Sequence, residues 1–177
     1  MSRVPPLDYD AAPPRSRAEW DRQAAAHGRM TNMKRTLAHS PEALEAYMRW
    51  YPLRDEVEAF LGKRLTLLFV HAISMETDCL ICSTYFRRDL IEAGEDPDRL
   101  VLSEKELAFV RFGRQIAQDP HGVTDALAAA VGKHMDPAQL VSVTALAGLM
   151  IATNLFNDVL EVQLDGYLEP YRAGGPR

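Results

Sequence analysis

The chain has 177 residues, 47% hydrophobic and 25% charged, proportions that suit one globular domain and exclude wholesale disorder or a fibrous architecture. A domain of this size removes roughly 70% of its unfolded surface from water and needs no disulfide staple to fold. Twenty Lys and Arg against 25 Asp and Glu leave a net charge of -5 with no basic run, a surface that repels phosphate backbones and argues against a nucleic-acid partner.

Met1 to Arg17 holds four prolines and no apolar stretch of the signal-peptide kind, so it reads as an extended arm on a cytoplasmic protein. Residues 1–30 are expected to form this arm with a short helix, and residues 31–177 the helical domain. Ser40 before Pro41 is a cap with proline at the first helical position, and Pro52 is expected to end that helix. Lys63 to Ser74 is apolar on nearly every side and is predicted as a central helix. Asp78 reads as the cap of a helix from Cys79 to about Ala93, stopped by Gly94. Ser103 with Glu106 is a capping box that opens a helix ending near Asp119-Pro120, and Thr124 or Asp125 starts a short one. Asp136-Pro137 opens the longest element, expected to reach about Gln163. Its first 21 residues, Pro137 to Asn157, carry no charge and could span a bilayer by length. Gln139, Ser142, Asn154 and Asn157 fit the centre of a bundle or a subunit interface better, so no membrane is expected. The count is six or seven helices and no strand: an all-α, single-domain helical bundle.

Cys79 and Cys82 are the two cysteines, three residues apart and therefore on one face of a helix. Unsatisfied N–H groups and the helix dipole favour a thiolate at a helix N-terminus, which makes the pair a candidate redox dithiol. Two buried cysteines can also be small hydrophobes, and such a pair can be half of a zinc site. Zinc would need two more ligands, whereas His71, His121 and His134 are scattered singly. No metal or other cofactor is expected.

Cys79 and Cys82 after an apolar helix, the Phe86 to Gly94 segment, and the Met150 to Asn157 stretch ahead of Asp165-Gly-Tyr-Leu168 resemble the carboxymuconolactone decarboxylase and alkylhydroperoxidase D-like superfamily. The resemblance runs from about Met33 to Leu168. It implies an all-α homo-oligomer, from dimer to hexamer. The peroxidase branch reduces alkyl hydroperoxides with its cysteine pair; the lactone decarboxylase branch works without cysteines. That peroxidase branch has a glutamate twelve residues before the first cysteine, where this chain has Leu67, and a histidine four after the second, where it has Phe86. Ile81 replaces a further histidine. The family's proton relay is therefore missing.

His71 lies four residues after Leu67, on the same helix face, and could serve as the substitute base, or be a hydrogen-bonded core residue. Tyr85 could donate a hydrogen bond to a peroxide oxygen, or simply pack. Glu76 and Asp78 are expected to cap. The expected chemistry is attack of a thiolate on a hydroperoxide, condensation of the sulfenic acid with the second thiol, and reopening of the disulfide by an external dithiol. Helix position favours Cys79 as attacking sulfur; the resemblance implies Cys82, with Cys79 resolving and more accessible. Two alternatives stand beside this. One is a decarboxylase-type enzyme acting on a small carboxylated ring held by arginines such as Arg87 or Arg88; the other is a non-catalytic redox switch. Helices apolar nearly all round imply a dimer or larger homo-oligomer.

Overall fold

The computed structural model describes residues 2–173, which contain α-helices and short 3-10 segments and no strand. The expected all-α architecture is present. Nine α-helices occur among the described residues: α1 (Pro14–His27), α2 (Asn32–Leu37), α3 (Pro41–Met48), α4 (Trp50–Leu61), α5 (Lys63–Glu76), α6 (Leu80–Glu92), α7 (Glu104–Gln118), α8 (Asp125–Gly132) and α9 (Pro137–Val159). A 3-10 helix, Gly166–Tyr171, follows. The short helix expected within residues 1–30 is α1, and the count exceeds six or seven because α2 and α4 are short or proline-interrupted stretches that mask helical spacing.

Helix starts follow their caps. Ser40, Ser103, Thr124 and Asp136 each accept a backbone N–H from three residues on, and the boxes at Ser103/Glu106 and Asp136/Gln139 are complete. Elsewhere the boundaries differ from expectation. The arm reaches only to Pro13, with a turn over residues 9–11, because Pro14 takes the first helical position, where its missing N–H costs nothing. Pro52 does not close a helix: α3 ends at Met48 and α4 restarts at Trp50, with Pro52 inside the first turn. The final helix stops at Val159, short of Gln163. Glu161 turns to φ 50, its N–H reaches the Asp158 carbonyl, and the Val162 N–H returns to Asn157, a Schellman ending. The arm reinforces that ending, since the Arg3 N–H donates to the Leu160 carbonyl at 2.9 Å. It is also stitched to α2 by the Leu7 N–H on the Arg35 carbonyl (3.2 Å) and Arg35 Nε on the Leu7 carbonyl (3.0 Å).

Helix α5 is the hub, packed against α4, α6, α7 and α9. Ten consecutive residues from Leu65 to Ser74 are buried, which accounts for its apolarity on every side. Phe69, Val70 and Ile73 of α5 meet Phe109 of α7, Leu90 of α6 and Leu146 of α9 in one core. A smaller cluster, Leu37, Ala38, Leu44 and Met48, is closed by Leu7 and Trp20 from the N-terminal region. Helix α9 is long and apolar enough to cross a membrane; its inner side, from Val143 through Leu146 and Met150 to Asn154 and Asn157, is packed into the bundle.

The approach of α7 to α5 depends on Gly113. A Cβ there would lie 3.0 Å from the Phe69 ring and 3.1 Å from Ile73. Gly113→Ala is expected to destabilise the fold by about 1–3 kcal/mol through overpacking, despite the better helix propensity of alanine. Gly132→Ala at the end of α8, where nothing lies within 4 Å, should be neutral or stabilising. Urea unfolding midpoints of the two variants check the contrast.

Candidate functional site

The cysteines sit at the junction between the hub helix and α6. Helix α5 ends in the same Schellman geometry: Asp78 adopts φ 57, its N–H bonds the Met75 carbonyl, and the Cys79 N–H reaches back to Ser74 at 3.2 Å. Asp78 is therefore the left-handed turn residue after α5 and not the cap of α6. Aspartate tolerates that conformation better than most residues, which is why its two possible duties look alike in a sequence. Cys79 occupies the cap position instead, its carbonyl accepting the Ser83 N–H at 2.9 Å. One turn on, Cys82 faces the same side.

Both cysteines are free thiols, and Cys79 is 0% exposed against 5% for Cys82. The expectation that Cys79 is the more accessible thiol is thus reversed, because the turn tucks it beneath α9. Two asparagines of α9, one turn apart, hold the junction. Asn154 Nδ2 donates to Thr77 Oγ1 at 2.7 Å and to Ser74 Oγ at 3.5 Å. Asn157 Nδ2 donates to Cys82 Sγ at 3.3 Å and approaches Cys79 Sγ at 4.0 Å. The Asn157 side chain is 2% exposed, and its Oδ1 has no hydrogen-bond partner among the described residues.

A hydrogen bond to Cys79, and then burial, push the Cys82 thiol well above its ordinary pKa, while the Asn157 contact works in the opposite direction. Burial raises the carboxyl pKa of Asp158, next along α9, and the neighbouring Cys79 thiol works in the opposite direction. Cys82, Cys79 and the exposed Asp158 thus neighbour one another at this junction. Neither Asn157 nor Asp158 carries a sequence signal strong enough to single it out.

Cys82 also lines a narrow cavity of about 70 Å³. Its neighbours on α6, Ile81, Tyr85 and Phe86, form one wall, and Trp50 and Tyr51 of α4 form another. Met150 and Asn157 of α9 close the back, and Lys34, Asp165 and Tyr167 lie on the remaining side. Tyr85 stacks under the Arg88 guanidinium at 4.4 Å, and burial raises its phenol pKa, so it stays protonated and able to donate.

His71 is placed elsewhere. It lines a second cavity, of about 320 Å³, with Leu80, Ser83, Thr84 and Arg87. These four repeat at helical spacing on the α6 face turned away from Cys82 and Tyr85. The structure therefore brings Cys79, Cys82 and Tyr85 together and leaves His71 across the helix. Arg87 is paired with Asp98 (2.8 Å) at that second cavity, and Arg88 with Asp89, so both arginines are held by carboxylates. No cluster of His, Cys, Asp and Glu able to hold a metal occurs among the described residues.

Burial, reinforced by Arg87 and Arg114, lowers the His71 pKa from 6.5 to about 4. A histidine kept neutral in the fold and protonated in the unfolded chain contributes stability above pH 6.5 that is lost as pH falls towards 4. The expected loss over that window is on the order of 3 kcal/mol. Unfolding free energies at pH 7 and pH 4.5 should fall less steeply in His71→Leu than in the parent; equal slopes would contradict the assignment.

No family model matches the chain, and no curated protein matches it. Solved structures do. An uncharacterised peroxidase-related protein from Ralstonia eutropha, described as an alkylhydroperoxidase AhpD core, superposes with TM-score 0.70 at 18% identity, covering 95% of this chain and 94% of that one. The debrominase Bmp8 gives 0.73 at 16% identity, with 95% of each chain covered. An uncharacterised peroxidase-related protein from a Silicibacter species gives 0.71 at 13% identity, covering 95% and 96%. The chain has the alkylhydroperoxidase D-like fold.

Proposed function

We propose that this protein is a dithiol oxidoreductase that reduces a small hydroperoxide at Cys82. The observation that carries the reading is a reduced, buried cysteine pair, one sulfur on a cavity and the other beside Asp158, a carboxylate residue exposed to solvent. Asp158 takes the place of the missing relay. The Cys82 thiol, its pKa raised, is neutral at rest, and Asp158 accepts one proton from the pair only as attack begins. When a hydroperoxide occupies the cavity, the remaining proton shifts to Cys79 and the Cys82 thiolate attacks the distal oxygen. The O–O bond breaks, Cys82 becomes a sulfenic acid, and the alkoxide takes a proton from Tyr85 to leave as an alcohol. The Cys79 thiol then attacks the sulfenic sulfur; water departs, the disulfide closes, and an external dithiol restores both thiols with two electrons and two protons. Tyr85 recovers its proton from solvent. Asn157 positions Cys82 and favours its thiolate.

A second reading uses the same two electrons to remove halide from a small aromatic molecule. The aromatic walls of the cavity, from Trp50, Tyr51, Phe86 and Tyr167, and the likeness to a debrominase favour it. Both readings require the cysteines. Cys82→Ser or Cys79→Ser is expected to reduce dithiol-dependent hydroperoxide consumption to background, and Asp158→Asn to slow it roughly a hundredfold. Halide release from a small brominated aromatic molecule without peroxide consumption would select the second reading. Activity that survives both serine substitutions would eliminate both.

The reading extends to self-association through α9. Its outer side leaves Val141, Leu155 and Val159 exposed at 68, 60 and 50%, at helical spacing across Ala145 and Gly148, small enough to admit a second copy of the same helix closely. Sedimentation is expected to give at least twice 19.8 kDa, and Leu155→Asp to dissociate the assembly. A parent mass of 19.8 kDa at micromolar concentration would contradict this.

A further inference from the structure

Lys34 is the feature of the cavity that the chemistry above leaves unused. It is only 4% exposed, yet no carboxylate pairs with it among the described residues. Its Nζ donates to the Arg29 carbonyl at 3.3 Å and lies 5.2 Å from the centre of the Tyr51 ring. A buried ammonium without a counter-ion is costly, and burial alone lowers its pKa to about 8, which leaves it mostly charged at neutral pH.

Charge around the cavity does not cancel that ammonium. Asp165 is the one carboxylate on the lining; it accepts the Asn32 N–H at 3.0 Å, and Arg29 and Arg35 are the cations acting on it. Arg35 is shared with Asp8, and Arg29 lies over Tyr167 at 4.1 Å. The remaining walls are aromatic or aliphatic apart from neutral Thr31, Thr153, Asn157 and phenols. The cavity thus joins an apolar interior, a sulfur and one surplus positive charge.

We infer that the cavity takes a small apolar molecule bearing a carboxylate, with Lys34 as the anion-binding residue and the apolar body lying between Trp50 and Cys82. A carboxylate would supply the missing counter-charge and accept a Lys34 N–H, a charge-assisted bond of the stronger kind. That this acid is the substrate rests on the reading above; that it binds does not, so the test removes the thiols.

The test uses the full chain carrying Cys79→Ser, Cys82→Ser and Trp20→Phe, in which Trp50 is the sole tryptophan. Its fluorescence reports binding of hexanoate or of hexanamide, a neutral molecule of nearly the same shape. Hexanoate is expected to bind about tenfold more tightly than hexanamide, the size of one charge-assisted hydrogen bond. Lys34→Met should abolish the preference and Lys34→Arg should keep part of it. Equal affinities, or no binding of hexanoate at millimolar concentration, would overturn the inference. The hexanoate–hexanamide comparison with Lys34 intact holds even if Lys34→Met fails to fold. Hexanoate binding in a protein whose thiols prove inert would remove the redox reading and leave the anion site standing.

Discussion

The site depends on how one apolar helix ends. Helix α5 is buried for ten residues running and surfaces at Glu76, and its last carbonyls find donors within two or three residues. The left-handed turn at Asp78 supplies them, and the Cys79 N–H is one of the donors. Closing α5 and opening α6 are therefore one event, and its geometric result is a cysteine at the cap with a second one turn later. The two asparagines of α9 then tie this junction to the longest helix, so that the sulfurs are held from three sides.

On the proposed reading, Asp158 offers a route for protons in a chain that lacks the glutamate and histidine of the peroxidase branch it resembles. Leu67 and Phe86 are part of the core. Asp158 follows the buried Asn157 on the same helix, is itself exposed, and neighbours the cysteine at the cap. Burial of the pair and ionisation of the pair make opposite demands: desolvation resists charge on Cys82, while the Asn157 N–H favours it. A thiolate forms only where such a donor is fixed in place, which ties chemistry here to the packing of α9 against α5.

Much of the fold was legible from residues alone. Cap signals at Ser40, Ser103, Thr124 and Asp136 are local and were each met, as was the all-round apolarity of α5. The failures are equally local. Aspartate can cap a helix or turn left-handed after one, and only the preceding helix decides between them, so Asp78 was misassigned. Proline is at home in the first turn as well as beyond the last, so Pro52 concealed α4. Of the candidate site, the two cysteines and Tyr85 follow from spacing. Asn157, Asp158 and Lys34 do not, because their meaning comes from tertiary burial: a lysine in a short polar segment gives no sign that it will be enclosed without a counter-ion. His71 shows the complementary limit, since the spacing that placed it one turn from Leu67 could not tell which side of α6 it would face.

The central claim is that two enclosed sulfurs act as one two-electron couple. The most direct measurement is the intact mass and free-thiol content of the reduced chain before and after one equivalent of an alkyl hydroperoxide. A couple at this site predicts loss of both thiols together, a mass lower by two hydrogen atoms, and full recovery with dithiothreitol. Retention of both thiols, or stable oxygen addition to one sulfur without closure, would contradict it.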